Sequence, residues 1–149
     1  MTSTATIFKV MKLTSKALLN IGGIAYLLVG TGHLSYELFV TDAAADGKLR
    51  AFLDSYDFRI FGNALSLYRF YSGYSIMMAA QDIFIGVLCL TLRKPGRGTL
   101  LALMLGGLMM PVLVRVYFTG GPPLYLSIIG AIAFVLAYLR SLRVEEKGV

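Results

Sequence analysis

Four apolar runs make up most of this chain, at about Ala17 to Val40, Tyr71 to Leu92, Thr99 to Phe118 and Leu124 to Leu142. An α-helix rises 1.5 Å per residue, so about twenty residues cover the ~30 Å of hydrocarbon in a bilayer, and each run has the length of one crossing. Lipid offers a backbone no hydrogen-bond partner, and runs this long and continuous satisfy theirs as helices. The breaks are polar or rich in Gly and Pro: residues 41–69, then Arg93-Lys94-Pro95-Gly96-Arg97-Gly98, then Thr119-Gly120-Gly121-Pro122-Pro123. Such breaks end helices and permit tight reversals, so successive spans are expected to run antiparallel. The expected fold is all-α, an integral membrane four-helix bundle forming one domain over residues 1–149.

Composition decides against the same runs being the core of a soluble domain. Apolar residues are 57% of the chain and charged ones 15%, against roughly 45–50% and about 25% in soluble domains, and the mean hydropathy is +0.73. A net charge of +6 raises nucleic acid as a partner, but the basic residues flank the apolar runs instead of gathering in a patch. They read as topology signals, and no nucleic-acid partner is expected. Lys9, Lys12 and Lys16 precede the first run, Arg93, Lys94 and Arg97 fill the middle break, and Arg140, Arg143 and Lys147 lie at or beyond the end of the last. In the first break Lys48, Arg50, Arg59 and Arg69 are balanced by Asp42, Asp46, Asp54 and Asp57. The positive-inside bias therefore places both termini on the cytoplasmic or matrix side. The first run is too long for a signal peptide and no A-x-A pattern follows it, so it is read as a span. The expected home is a bacterial inner membrane, with the mitochondrial inner membrane as the alternative.

Within the first break, Leu49, Phe52, Leu53, Tyr56 and Ile60 fall on one helical face. That spacing predicts an interfacial amphipathic helix over about 48–60, capped by Asp46 and ended by Gly62-Asn63, with Ala64 to Phe70 leading into the second span. Such a helix either packs over its own bundle or offers a surface to lipid or a partner. Tyr36, Phe39, Phe70, Tyr71, Tyr117 and Tyr125 cluster at the same boundary, as an aromatic belt does.

Besides Arg140 at the very end of the fourth, four ionisable residues fall inside the runs: His33 and Glu37 in the first, Asp82 in the second and Arg115 in the third. A charge at the bilayer centre costs ~2.5–3.5 kcal/mol on insertion scales, so each is a candidate for function. His33 and Glu37 are four apart and share a helical face, where a carboxylate can orient an imidazole. Glu37 and Arg115 lie at similar depth, which favours an ion pair. Asp82 lies roughly 16 Å into its run and His33 about 10 Å, so direct contact between them needs tilt or an intervening water. As chemistry, His33, Glu37 and Asp82 are the candidate catalytic group, with Tyr36, Tyr74 and Gln81 as candidates for contact with a lipophile. As structure, Glu37 pairs with Arg115 and His33 bonds to Tyr36, Tyr74 or a carbonyl as helix glue.

Cofactor signals are negative. Cys89 stands alone and His33 is the single histidine, which leaves too few ligands for a bis-histidine haem or a di-iron site of the two-Glu, two-Glu-x-x-His kind. The Met residues scattered through the runs read as packing material, so no metal or other cofactor is expected. Pro111 after Gly106-Gly107 is expected to bend the third helix and open a hinge or pocket. Ser127, Gly130, Ala131, Ala133 and Ala137 give the fourth a small-residue packing face.

The stretch Leu67-Tyr68-Arg69-Phe70-Tyr71-Ser72-Gly73-Tyr74-Ser75-Ile76-Met77-Met78, with Gly30-Thr31-Gly32-His33-Leu34, resembles small four-span bacterial membrane proteins of the DoxX-like, domain-of-unknown-function type. The resemblance covers the first two spans. It implies a compact four-helix membrane bundle and brings no established reaction. Two classes of function follow. The first is a non-catalytic accessory or scaffold subunit whose partners are the bilayer and other membrane subunits or further copies of itself. The second is a membrane-embedded acid/base enzyme, or a binder of a quinone, sterol or isoprenoid, built on His33, Glu37 and Asp82. The reading leans to the first, and away from an enzyme.

Overall fold

A computed structural model describes residues 13–39, 44–60, 62–118 and 121–145 of the chain. Lys9, Lys12, Val40, Asp42 and Lys147 lie outside the described residues, as do the side chains of Asp46, Tyr117 and Phe118. The elements in order are α1 (Ser15–Phe39), α2 (Ala44–Asp54), β1 (Asp57–Ile60), β2 (Asn63–Ser66), α3 (Leu67–Thr91), α4 (Arg97–Phe118) and α5 (Pro122–Glu145). Among the described residues the protein is all-α apart from one hairpin, and α1, α3, α4 and α5 are long and apolar enough to cross a membrane. Only a minority of each span is buried within the chain. The rest is apolar surface of the kind lipid solvates and water does not, which makes this an integral membrane protein.

Local chemistry sets the helix ends. Thr14 starts α1, its hydroxyl accepting from the Ala17 N–H at 3.1 Å, and Ser66 starts α3 in the same way, accepting from the Arg69 N–H at 3.3 Å. The Ser66 cap brings Leu67 to Phe70 into the helix, so α3 begins four residues before the Tyr71 expected from hydropathy alone. At the other end of α3, the Lys16 ammonium donates to the carbonyls of Cys89 at 3.0 Å and Leu90 at 2.8 Å. Those carbonyls lack intrahelical partners, and a cation there also complements the helix dipole.

The connection after α1 departs from expectation. α2 begins at Ala44, so Asp46 falls inside its first turn and not ahead of it, and the helix stops at Asp54 instead of running to residue 60. Leu49, Phe52 and Leu53 do lie on α2, but Tyr56 follows it and Ile60 belongs to β1. The reason is the alternation of Asp57-Phe58-Arg59-Ile60, which has period two and places its polar residues outward. β1 pairs antiparallel with β2 from Asp57↔Ser66 to Ile60↔Asn63. Gly62, at φ +83°, closes the hairpin in the left-handed region that glycine enters without steric cost. Phe58 packs edge-on against Phe70, with centroids 5.5 Å apart, and anchors the hairpin to α3.

The described residues form two compact units, one made of those up to Leu27 with those from Ile85 onward, the other of Leu28–Phe84. In the first, Leu18, Leu19, Tyr26, Cys89, Leu100, Phe134 and Ala137 form the core. The Phe134 ring lies against Gly22 and Gly107, where a Cβ would collide with it, and stacks tilted on Tyr26 at 5.5 Å. The small face of α5 is buried as its sequence foretold, from Ser127 to Ala137. α4 continues as a helix through Pro111, and an apolar groove of about 310 Å³ opens beside it, lined by Leu108, Pro111, Ile128, Ile132, Val135 and Leu136.

In the second unit α1 and α3 run antiparallel at close range. A Cβ on Gly30 would stand 2.7 Å from the Ala79 carbonyl oxygen and 2.9 Å from the Ile83 nitrogen, backbone atoms that cannot step aside. Gly30→Ala is therefore expected to cost about 1–3 kcal/mol, the usual range for overpacking. Gly32→Ala, with no atom within 4 Å of its Cβ, should be neutral or gain the helix propensity of alanine. Thermal unfolding of both variants in detergent checks the contrast, and equal effects would argue against this close approach.

Candidate functional site

Within the second unit, polar residues of α1 and α3 meet across the two helices. On α1 they are His33 and Glu37, one turn apart and one turn beyond Gly30. On α3 they are Ser72 and Ser75, with Asp82 two turns further. Antiparallel packing brings the first pair opposite the two serines. Ser72 Oγ donates to Glu37 Oε1 at 2.7 Å, and Ser75 Oγ donates to Glu37 Oε2 at 3.0 Å. His33 Nε2 lies 2.7 Å from Ser75 Oγ.

A hydroxyl carries one hydrogen. Since Ser75 gives its own to Glu37, the hydrogen in the contact with His33 belongs to Nε2. The order of donation is therefore His33 to Ser75 to Glu37, with Ser72 as a second donor to the same carboxylate. Glu37 is thus held by two hydroxyls at once, which provides inside an apolar span part of what water would provide outside it. Ser75 is the hinge of this arrangement, at 7% exposure.

Asp82 is placed otherwise. It is 6% exposed and makes no hydrogen bond or ion pair among the described residues. Two turns of α3 separate it from Ser75, about 10 Å along the axis. The fold therefore joins His33 and Glu37 through a serine and leaves Asp82 outside their network. Tyr36 and Tyr74 are each 53% exposed, and Gln81 is also exposed. Arg115 lies in the last turn of α4 and belongs to the other compact unit. Among the described residues no three His, Cys, Asp or Glu side chains gather as metal ligands do.

Ser72 and Ser75 are the residues that sequence reasoning missed. Their signal was present: two hydroxyls three apart, with Asp82 seven beyond the second, on one face of a span. Attention to ionisable groups alone passes over the neutral residues that satisfy them.

Removing the Ser75 hydroxyl takes a partner from both the His33 N–H and Glu37, whereas removing that of Ser72 takes one from Glu37 alone. Ser75→Ala is expected to destabilise by about 1–3 kcal/mol and Ser72→Ala by less. Unfolding in mixed micelles, followed by circular dichroism, orders the two, and a larger loss for Ser72→Ala would contradict the bridging role of Ser75.

No protein-family model, curated protein or solved structure matches this chain.

Proposed function

We propose that this protein is a non-catalytic polytopic membrane subunit, an accessory or scaffold element that works by holding its place beside other membrane chains or further copies of itself. The observation that carries this reading is the seam between α1 and α3. The groups best suited to acid/base chemistry, His33 and Glu37, hydrogen-bond to Ser72 and Ser75 and so tie one helix to another. Interhelical polar contacts of this kind hold helices together in lipid, each worth ~0.6–2 kcal/mol. The small amount of chain between the spans and the buried, small-residue face of α5 agree with a structural part. By the positive-inside bias its termini face the cytoplasm or matrix.

A second reading has its own support in Asp82. A carboxyl at 6% exposure without a described partner is the arrangement expected where a membrane protein handles protons or a lipophilic ligand. In that reading His33 and Glu37 act as the base pair and Asp82 as acid or relay, on a quinone, sterol or isoprenoid.

One experiment separates the two. The tagged chain, at its native abundance, is extracted in digitonin and weighed by native mass spectrometry, alongside Asp82→Asn and His33→Ala. The scaffold reading expects a complex of fixed stoichiometry, well above the 16.2 kDa of one chain, that Asp82→Asn leaves intact. A lone chain carrying a lipophile that both variants lose would overturn it in favour of the second.

A further inference from the structure

Away from the α1–α3 seam, the second unit carries a polar cleft of about 370 Å³ where α2, the hairpin and the first turn of α3 meet. Its volume is within the range of small-molecule sites. Arg50, Asp54, Asp57, Ser66, Tyr68 and Arg69 line it, so two cations and two anions face one space.

Some of these groups are fixed. Ser66 donates to Asp54 Oδ1 at 2.7 Å, and the Arg50 guanidinium stands over the Tyr68 ring, 4.8 Å from its centroid. The Asp57 carboxylate and the Arg69 guanidinium make no hydrogen bond or ion pair among the described residues. Asp57 and Arg69, opposite charges that line one cleft and do not close on each other, suit a ligand that carries both signs.

The position of the cleft narrows that ligand. Tyr68 and Arg69 belong to the first turn of a membrane-crossing helix, and the next residues, Phe70 and Tyr71, are exposed aromatics of the sort that mark headgroup level. We propose that this cleft binds a phosphate-bearing zwitterion of the phosphoethanolamine type. Arg69 takes the phosphate, Asp57 takes the ammonium, and the Arg50–Tyr68 and Asp54–Ser66 pairs form the walls. The source is a lipid headgroup or the same group free in solution. The proposal does not depend on whether the protein is a scaffold or an enzyme.

The test uses the full chain in detergent with equal amounts of phosphatidylethanolamine and phosphatidylglycerol, read by native mass spectrometry, and a parallel titration with O-phosphoethanolamine. Retention of phosphatidylethanolamine over phosphatidylglycerol is expected, and Arg69→Gln and Asp57→Asn should each weaken it about tenfold or more, as loss of one charge-assisted contact does. Arg59→Gln, which removes a charge from the same hairpin outside the cleft, should change nothing. Binding of O-phosphoethanolamine without retention of phosphatidylethanolamine, again lost in both variants, supports the site and assigns the soluble source. Equal retention of both lipids with no response to O-phosphoethanolamine, preference for phosphatidylglycerol, or variants that bind like the parent would each overturn the proposal. Circular dichroism melts of the variants ensure that a loss of binding is not a loss of fold.

Discussion

Hydrocarbon leaves a polar group nothing to bond to except the rest of the protein, and most of this structure follows from that constraint. It makes the four spans helical, so that the backbone satisfies itself. It places Lys16 across the last carbonyls of α3. Above all it makes the Glu37 carboxylate depend on two hydroxyls from a different helix. Such contacts hold α1 and α3 together with a directionality that apolar packing lacks. Glycine does the complementary work, since Gly30 lets the backbones come close enough for short serine side chains to reach.

The architecture was legible in the sequence because span length and hydropathy report directly on the solvent. The four helices begin and end within a few residues of the apolar runs, and the small face of α5 is buried. The segment between α1 and α3 was less legible, because Leu49, Phe52 and Leu53 set a helical period that Tyr56 and Ile60 continue by coincidence. The polar–apolar alternation from Asp57 to Ile60 competes with that period and prevails, with Gly62 available to turn the chain.

At the candidate site, the ionisable residues were visible and their partners were not. His33 and Glu37 announce themselves by their cost in lipid. Ser72 and Ser75 cost little, and so leave little trace in a reading that searches for expense. Which residue of α3 meets which residue of α1 depends on the register of two antiparallel helices, and that register is set by close approaches at Gly30 and Ala79 that a sequence does not display. The same holds for the polar cleft, whose lining comes from α2, the hairpin and α3 together.

The wide sequence separation across the seam has a consequence for how the chain enters its membrane. Glu37 bonds to residues 35 and 38 positions later, and His33 to one 42 positions later. At a synthesis rate of about 5–20 residues per second, the serines of α3 emerge about 2–8 s after α1. Through that interval α1 must wait with an imidazole and a carboxylate that lack the α3 serines they will bond to. The nascent helix therefore has reason to linger at the insertion machinery or the headgroup boundary, and to take up its full depth only as a pair with α3.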